Sequence, residues 1–316
     1  MNRPCIIVLL MIVSAAQLSG NDVLSAEAIT QNWQAEYSGS DSNGPTVIGH
    51  WQFDKGAETA DSGRLGLSGR LDGAVPATAG KFGGGIESFP GFPIDDKHHA
   101  FMVADHPELS PTGAFTVEMW IKPKPQLREA SLAYLIDKKY ASKNDYQWLL
   151  SPPDPAGRRR MNVVLGFGED TETFITDFLT FEQDVWQHLA FSYDGAGTVR
   201  FYQNGSSVGN VTRPGRLGIA AGNLPLSIGD RIGSNYGGFP GYLDEVRISS
   251  GALEFSPLTI SLTVDRRVWR RYEPSSEIKV TVRNQQQKPL SGAKLRLLGP
   301  GWIDREIDLP TLPAEE

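Results

Sequence analysis

The 316-residue chain has one cysteine, Cys5, so no disulfide can join two parts of the molecule and packing must hold the fold. Long apolar runs are also missing. The run Ile6 to Val13 is less than half of the roughly 20 residues that a membrane-spanning helix needs, and no later stretch approaches that length, so no transmembrane anchor is expected. Sustained helical periodicity is absent, which argues against a helical bundle. Basic residues are not in excess: 30 Lys and Arg face 37 Asp and Glu, for a net charge of -7 and a pI near 5.4. A nucleic-acid partner is thereby disfavoured, since phosphate backbones draw on clustered cations. No GxSxG, HExxH or P-loop pattern occurs.

What the chain does contain is alternation. In FTVEMWIKP (115–123), Phe115, Val117, Met119 and Ile121 share one face while Thr116, Glu118 and Trp120 share the other, the period of two of a half-buried strand. WQHLAFSYDG (186–195) and GYLDEVRIS (241–249) repeat the pattern. The 34 Gly and 21 Pro lie between short apolar runs, as many strands joined by turns require. Asn204-Gly205 predicts a two-residue hairpin over 198–211, because both central positions need positive φ.

At the start, Arg3, the apolar run and the small residues Ser14, Ala15, Ala16, Ser25 and Ala26 read as a secretory signal peptide over 1–26, so an extracellular or periplasmic location is expected. Cys5 precedes the apolar core, the wrong side for a lipid-modified cysteine. Residues 27–46, with Trp33 and Tyr37 among Ser, Gly, Asn and Gln, read as a linker or N-terminal extension. The main domain is expected over 47–255. In 256–316, alternating runs around Leu258, Ile278 and Leu295 make a second, apparently incomplete β unit.

The ordered pieces GHWQFD (49–54), DSG (61–63), GRLDGA (69–74), KFGGG (81–85), FTVEMWIKP, WQHLAFSYDG, FYQNG (201–205), PLSIG (225–229) and GYLDEVRIS resemble the laminin-G-like, concanavalin A-like jelly-roll domain of many secreted bacterial proteins. The resemblance covers about two thirds of the chain. It implies an all-β, two-sheet jelly-roll sandwich whose concave side or loops can hold a ligand. The tail VRNQQQKPLSGAKL resembles a partial immunoglobulin-like β unit.

Glycoside hydrolases of the same jelly roll need two carboxylates across a glycosidic bond. Asp244 and Glu245 are adjacent, so strict strand alternation sends them to opposite faces. Asp170 and Glu172 lie in FGEDTETF, which reads as a turn. His98, His99 and His106 lack the spacing of a zinc site and read as surface polarity. Jelly rolls of this kind often carry a structural calcium, which the resemblance places at Asp54, Asp61 and Asp244. The competing readings are that Asp61 caps the DSG turn and that Asp244 pairs with Arg247.

For a sugar ligand, aromatic faces beside amides are the expected handles. KYASKNDYQW (139–148) offers Tyr140, Asn144, Tyr146 and Trp148, and GDRIGSNYGGFPGY (229–242) offers Asn235, Tyr236 and Phe239. Trp51, Trp120 and Trp186 read as core. Two basic clusters, Arg158 to Arg160 and Arg266, Arg267, Arg270, Arg271, read first as solvated turns and a guarded strand edge, and second as contacts to an acidic polysaccharide. The sequence thus favours a secreted, non-catalytic recognition module for a polysaccharide or cell-surface glycan. It leaves two alternatives, the accessory N-terminal region of a larger secreted hydrolase and a structural spacer of a surface assembly.

Overall fold

A computed structural model describes residues 6–10, 44–89, 97–233, 237–255, 258–264, 278–284, 289–299 and 303–314. It divides into two units, one of Glu36–Phe255 and one of Met1–Ala35 with Ser256–Glu316.

The first unit is the jelly roll, two antiparallel sheets packed face to face. One sheet orders seven strands as β11 (Thr171–Ile175), β10 (Met161–Gly166), β9 (Tyr146–Leu150), β8 (Ala133–Asp137), β15 (Leu226–Ile228), β6 (Ala100–Val103) and β3 (Gly69–Asp72). The other runs β14 (Ser206–Thr212), β13 (Thr198–Gln203), β12 (Gln187–Tyr193), β7 (Phe115–Pro123), β16 (Gly241–Ser250), β5 (Gly85–Glu87) and β4 (Val75–Ala77), with β2 (Val47–Trp51) also on β16. Non-consecutive neighbours such as β7 beside β16 join strands distant in sequence, so the sheet closes only when most of the unit has folded.

The expected alternation is met. Val117, Met119 and Ile121 of β7 point into one core with Leu189 and Phe191 of β12, facing Leu135, Trp148, Leu150 and Val163 of the opposite sheet. Trp51 is fully buried in that core, Trp120 is buried on the outer face and Trp186 is half-buried. Strands β13 and β14 form the predicted hairpin, with Asn204 at φ 50° and Gly205 at φ 72°, the paired positive dihedrals of a tight turn matched to strand twist.

In the second unit, β17 (Leu258–Val264) pairs antiparallel with β18 (Ile278–Asn284), and β19 (Lys294–Gly299) pairs antiparallel with β20 (Ile303–Asp308). Strand β1 (Ile6–Leu10), inside the run read as a leader, lies parallel to β19. The charged stretch IDREID of β20 has too few apolar residues to have stood out as a strand. Among the described residues this unit thus holds a two-stranded sheet of β17 and β18 and a three-stranded sheet of β1, β19 and β20, and Leu258 and Val282 of the first pack in one small cluster with Leu290, Ala293, Leu309 and Leu312. Arg266, Arg267, Trp269, Arg270, Arg271, Trp33 and Tyr37 lie outside the described residues.

Candidate functional site

Two loops of the jelly roll are tied together by buried carboxylates. The loop after β8 begins at Asp137, whose Oδ1 accepts the backbone N–H groups of Lys139 and Tyr140 at 2.9 and 2.8 Å while Oδ2 accepts that of Ile232 at 2.9 Å. The loop after β15 begins at Asp230, whose Oδ1 accepts the N–H groups of Arg231 and Gly237 at 2.6 and 2.9 Å while Oδ2 accepts that of His99 at 3.0 Å. Both carboxylates are fully buried. Backbone N–H groups in such loops have no ladder partner, and an acceptor must be supplied or the loop cannot be buried. Burial raises the pKa of Asp230, while these N–H donors pull it back.

Held this way, the two loops meet. The Arg231 guanidinium lies over the Tyr140 ring at 4.8 Å and near the Tyr134 ring at 5.8 Å. Tyr140 sits at φ 49°, a conformation costly for a tyrosine and kept here by the two N–H bonds to Asp137. Gly233 must be glycine, since its φ is 81° and a Cβ there would come within 2.6 Å of Tyr140 Cε2. Beneath the first loop, the fully buried Lys138 Nζ reaches Asp105 Oδ1 at 2.6 Å, the Leu224 carbonyl at 2.8 Å and Asp145 Oδ2 at 3.3 Å.

Of the aromatic and amide residues expected to face a ligand, Tyr140 and Asn144 are half-buried at this edge, with Asn144 Nδ2 donating to the Ala221 carbonyl. Tyr146, Trp148 and Phe239 are corrected: each is fully buried. Alternation along β9 turns Tyr146 and Trp148 inward, where they pack at 5.2 Å on Phe115 and Phe191, and no sugar can reach them. Asn235 and Tyr236 lie outside the described residues. Arg231 and Tyr134 were not singled out from sequence; the only trace was a cation beside the glycine-rich loop.

The three aspartates expected to hold calcium are each engaged by backbone N–H groups. Asp61 accepts N–H groups from His50 (2.6 Å), Gly63 (2.6 Å) and Leu67 (2.5 Å), which includes the cap on the DSG turn. Asp244 accepts those of Lys81 (2.7 Å), Phe82 (2.9 Å) and Glu245 (2.7 Å), and Asp54 accepts that of Gly84 at 2.9 Å. Calcium requires several oxygens converging on one point, and here Asp61 and Asp244 each give three of about four acceptor sites to backbone N–H groups. Asp54 and Asp244 meet the same 81–84 loop, while Asp61 serves a different turn. No group of three His, Cys, Asp or Glu among the described residues is placed to hold a metal. His98 instead contacts Asp72 at 3.0 Å, and His99 packs on Phe89.

The outer face of the eight-stranded sheet carries a buried ionic cluster that sequence alternation had scattered. A bulge in β16 sets three steps from Asp244 to Arg247 against two from Trp120 to Glu118, with Glu245 at φ 50°. The extra residue keeps Asp244 and Glu245 on one face instead of opposite faces. Glu245 Oε2 meets His50 Nε2 at 2.5 Å, and Glu118 takes Arg247 Nε at 2.5 Å and His188 Nε2 at 2.9 Å, so Arg247 pairs with Glu118 and not with Asp244. Glu118, Asp244 and Glu245 are all at most 2% exposed, which bars a substrate from them. Asp170 and Glu172 are gripped by Arg216 at 2.7 and 3.0 Å.

Burial, with neighbouring Glu245 adding, pushes Asp244 up to about 8 from an ordinary 3.8 against the pull of the N–H bonds. The folded state therefore keeps a proton that the unfolded chain releases. This contribution to stability is present below pH 3.8 and is lost as pH rises through about 8. Burial acts oppositely on His188, which it lowers below 6.5, so that contribution is present above pH 6.5 and lost on acidification. A urea midpoint falling from pH 7 to pH 9, with a shallower fall in Asp244→Asn, is the expected result; equal slopes in both proteins would contradict it.

The family model described as the concanavalin A-like lectin/glucanases superfamily, Laminin_G_3, matches residues 95–256. No curated protein sequence matches the chain significantly. Among solved structures, the chain is similar to the botulinum neurotoxin serotype D ligand-binding domain in complex with N-acetylneuraminic acid (14% identity, TM-score 0.50, 66% of this chain and 48% of that one). It is also similar to the binding domain of Paraclostridial Mosquitocidal Protein 1 (15%, 0.50, 66% and 50%). A third match is domain 4 of AbnA, a GH43 extracellular arabinanase from Geobacillus stearothermophilus, in complex with arabinotriose (22%, 0.48, 66% and 94%). The chain spans about half of the two toxin domains, and at these identities their likeness to it shows the fold alone.

Proposed function

Since the chain belongs to the Laminin_G_3 family of the concanavalin A-like lectin/glucanases superfamily, we propose that it is an exported, non-catalytic module that recognises a polysaccharide or cell-surface glycan through its 138–145 and 229–240 loops. The observation that carries this reading is the Tyr140–Arg231 pair, fixed by Asp137 and Asp230. An aromatic face suits the apolar face of a pyranose, and a guanidinium offers several donors to hydroxyls. Loops already pinned by buried carboxylates lose little freedom on binding, which favours affinity. The neurotoxin domain of the same fold was solved with a sugar acid bound, which is consistent with sugar recognition on this scaffold. Export rests on Arg3 and the run Ile6 to Val13, and N-terminal sequencing of the protein from its host is expected to begin after Ala26.

The test is retention on an immobilised glycan panel. Retention of at least one glycan, weakened about ten-fold in Tyr140→Ala with an unchanged melting temperature, is expected, since one lost contact of about 1.4 kcal/mol is a factor of ten. No retention across the panel, or full retention by the variant, refutes the reading.

A further inference from the structure

A second place on the jelly roll collects positive charge that the loop site does not use. A cavity of about 280 Å³ lies between the turn Pro125–Arg128, the 156–159 turn and the stretch 180–183. Lys124, Arg128, Arg158 and Arg159 line it, and Glu182 is the one carboxylate of the lining. This is unexpected on a chain whose net charge is -7.

What matters is which of these cations are already neutralised. Lys124 pairs with Glu87, and Arg158 with Asp154 at 2.8 Å. Arg128 is exposed and has no ion pair among the described residues, with its Nε 3.9 Å from where a Cβ on Gly157 would lie. Arg159 corrects the expectation of a solvated turn, being 1% exposed. Its guanidinium donates to the carbonyls of Ser151 (2.6 Å), Ala130 (2.5 Å) and Leu127. These three carbonyls accept three of the five N–H protons of a guanidinium but leave its charge in place, and although burial lowers its pKa to about 10, it is cationic at neutral pH. Arg160 is outside the lining, stacked 4.3 Å from the Phe178 ring. Fixed cations under a low-dielectric wall focus the field on the cavity mouth and draw in anions.

The rest of the lining decides what kind of anion fits. Phe181 and Leu127 present apolar surface, and Thr180 and Gln183 carry hydroxyl and amide groups, the mixture that a sugar ring with its hydroxyls needs. The volume is just below the roughly 300–1,000 Å³ of drug-sized sites, enough for one charged sugar unit of a longer chain. We propose that this cavity is a second, independent subsite that binds the anionic group of an acidic polysaccharide, a uronate carboxylate or a sugar sulfate, with Arg128 as the accessible cation and Arg159 as the fixed charge beneath it.

The test is affinity electrophoresis of the full chain in native gels containing polygalacturonate, dextran sulfate or neutral dextran. Retardation by an acidic polymer and none by dextran is expected, with the polymer that retards identifying carboxylate or sulfate as the anion. Arg128→Glu should weaken it at least ten-fold, the size of one charge-assisted hydrogen bond, and Glu182→Gln should strengthen it. Salt at about 0.5 M should abolish it, since the screening length then falls to a few ångströms. Tyr140→Ala should be retarded like the parent, so failure of the loop site and of this one are distinguishable. No retardation at low salt, or equal retardation of Arg128→Glu and the parent, overturns the proposal; the second result would assign the charge to another basic cluster, such as Arg266, Arg267, Arg270 and Arg271. Among the described residues the Arg128 side chain makes no hydrogen bond or ion pair that folding needs, and an unchanged melting temperature of the variant verifies this.

Discussion

Replacing Glu118 with alanine is expected to lower the unfolding free energy by about 3–5 kcal/mol, the usual cost of removing one partner from a buried ion pair. Glu118 Oε1 lies 2.5 Å from both Nε and Nη2 of Arg247. It also meets His188 Nε2 at 2.9 Å, and the three side chains are 1%, 3% and 0% exposed. Alanine would take this carboxylate away from a buried guanidinium. Strands β7, β12 and β16 all contribute to this triad, so the loss strikes the centre of the sheet. The denaturant midpoint is the measurement, with Glu118→Gln as a milder change that keeps one acceptor oxygen. The pair itself need not be net stabilising. Replacing Glu118 and Arg247 together with apolar residues should restore much of the loss, because two desolvation penalties vanish with one attraction. A single variant as stable as the parent would show that water reaches this face.

The second large effect is expected at Lys138, where methionine keeps the stem and removes the ammonium. That ammonium is fully buried and serves the 1%-exposed Asp145, the partly exposed Asp105 and the Leu224 carbonyl. Without it, the Asp145 carboxylate is left buried and uncompensated, again at a cost of about 3–5 kcal/mol. The consequence reaches function through geometry. Lys138 opens the loop that carries Tyr140 and Asn144, and Asp145, at φ 60°, closes it, so loss of the pair should loosen the 138–145 loop as well as destabilise the fold. Amide hydrogen exchange at 139–145 should accelerate more than at β7 or β12. Uniform exchange across the unit would show that Lys138 stabilises the whole sandwich and not this loop in particular.

Much of the fold could be read directly. Phe115, Val117, Met119 and Ile121 alternate, and they line the core; Asn204-Gly205 demanded positive φ, and it makes the turn. Where sequence reasoning failed, one assumption gave way each time. Alternation was read through Asp244-Glu245 without allowing a bulge, and the extra residue kept both carboxylates on one face. Tyr146 and Trp148 looked like ligand handles because they adjoin a polar loop, but two residues of β9 two apart must share a face, and that face is the core. Arg159 looked like a turn residue because its neighbours Arg158 and Arg160 are solvent-accessible, yet carbonyls 29 and 32 positions upstream, at Ala130 and Leu127, together with that of Ser151, draw its guanidinium inside.

The amino-acid sequence by itself determined that this chain makes layered β structure without disulfides, because a period of two and a composition short of cysteine are local properties. Only the tertiary structure decided which tyrosine faces outward, which carboxylates are spent on backbone N–H groups, and that the loops at 140 and 231 meet. The bond from Asp137 to Ile232 spans 95 positions, and a carboxylate that staples distant backbone leaves no pattern in the sequence around it, since any N–H of any residue can be its partner.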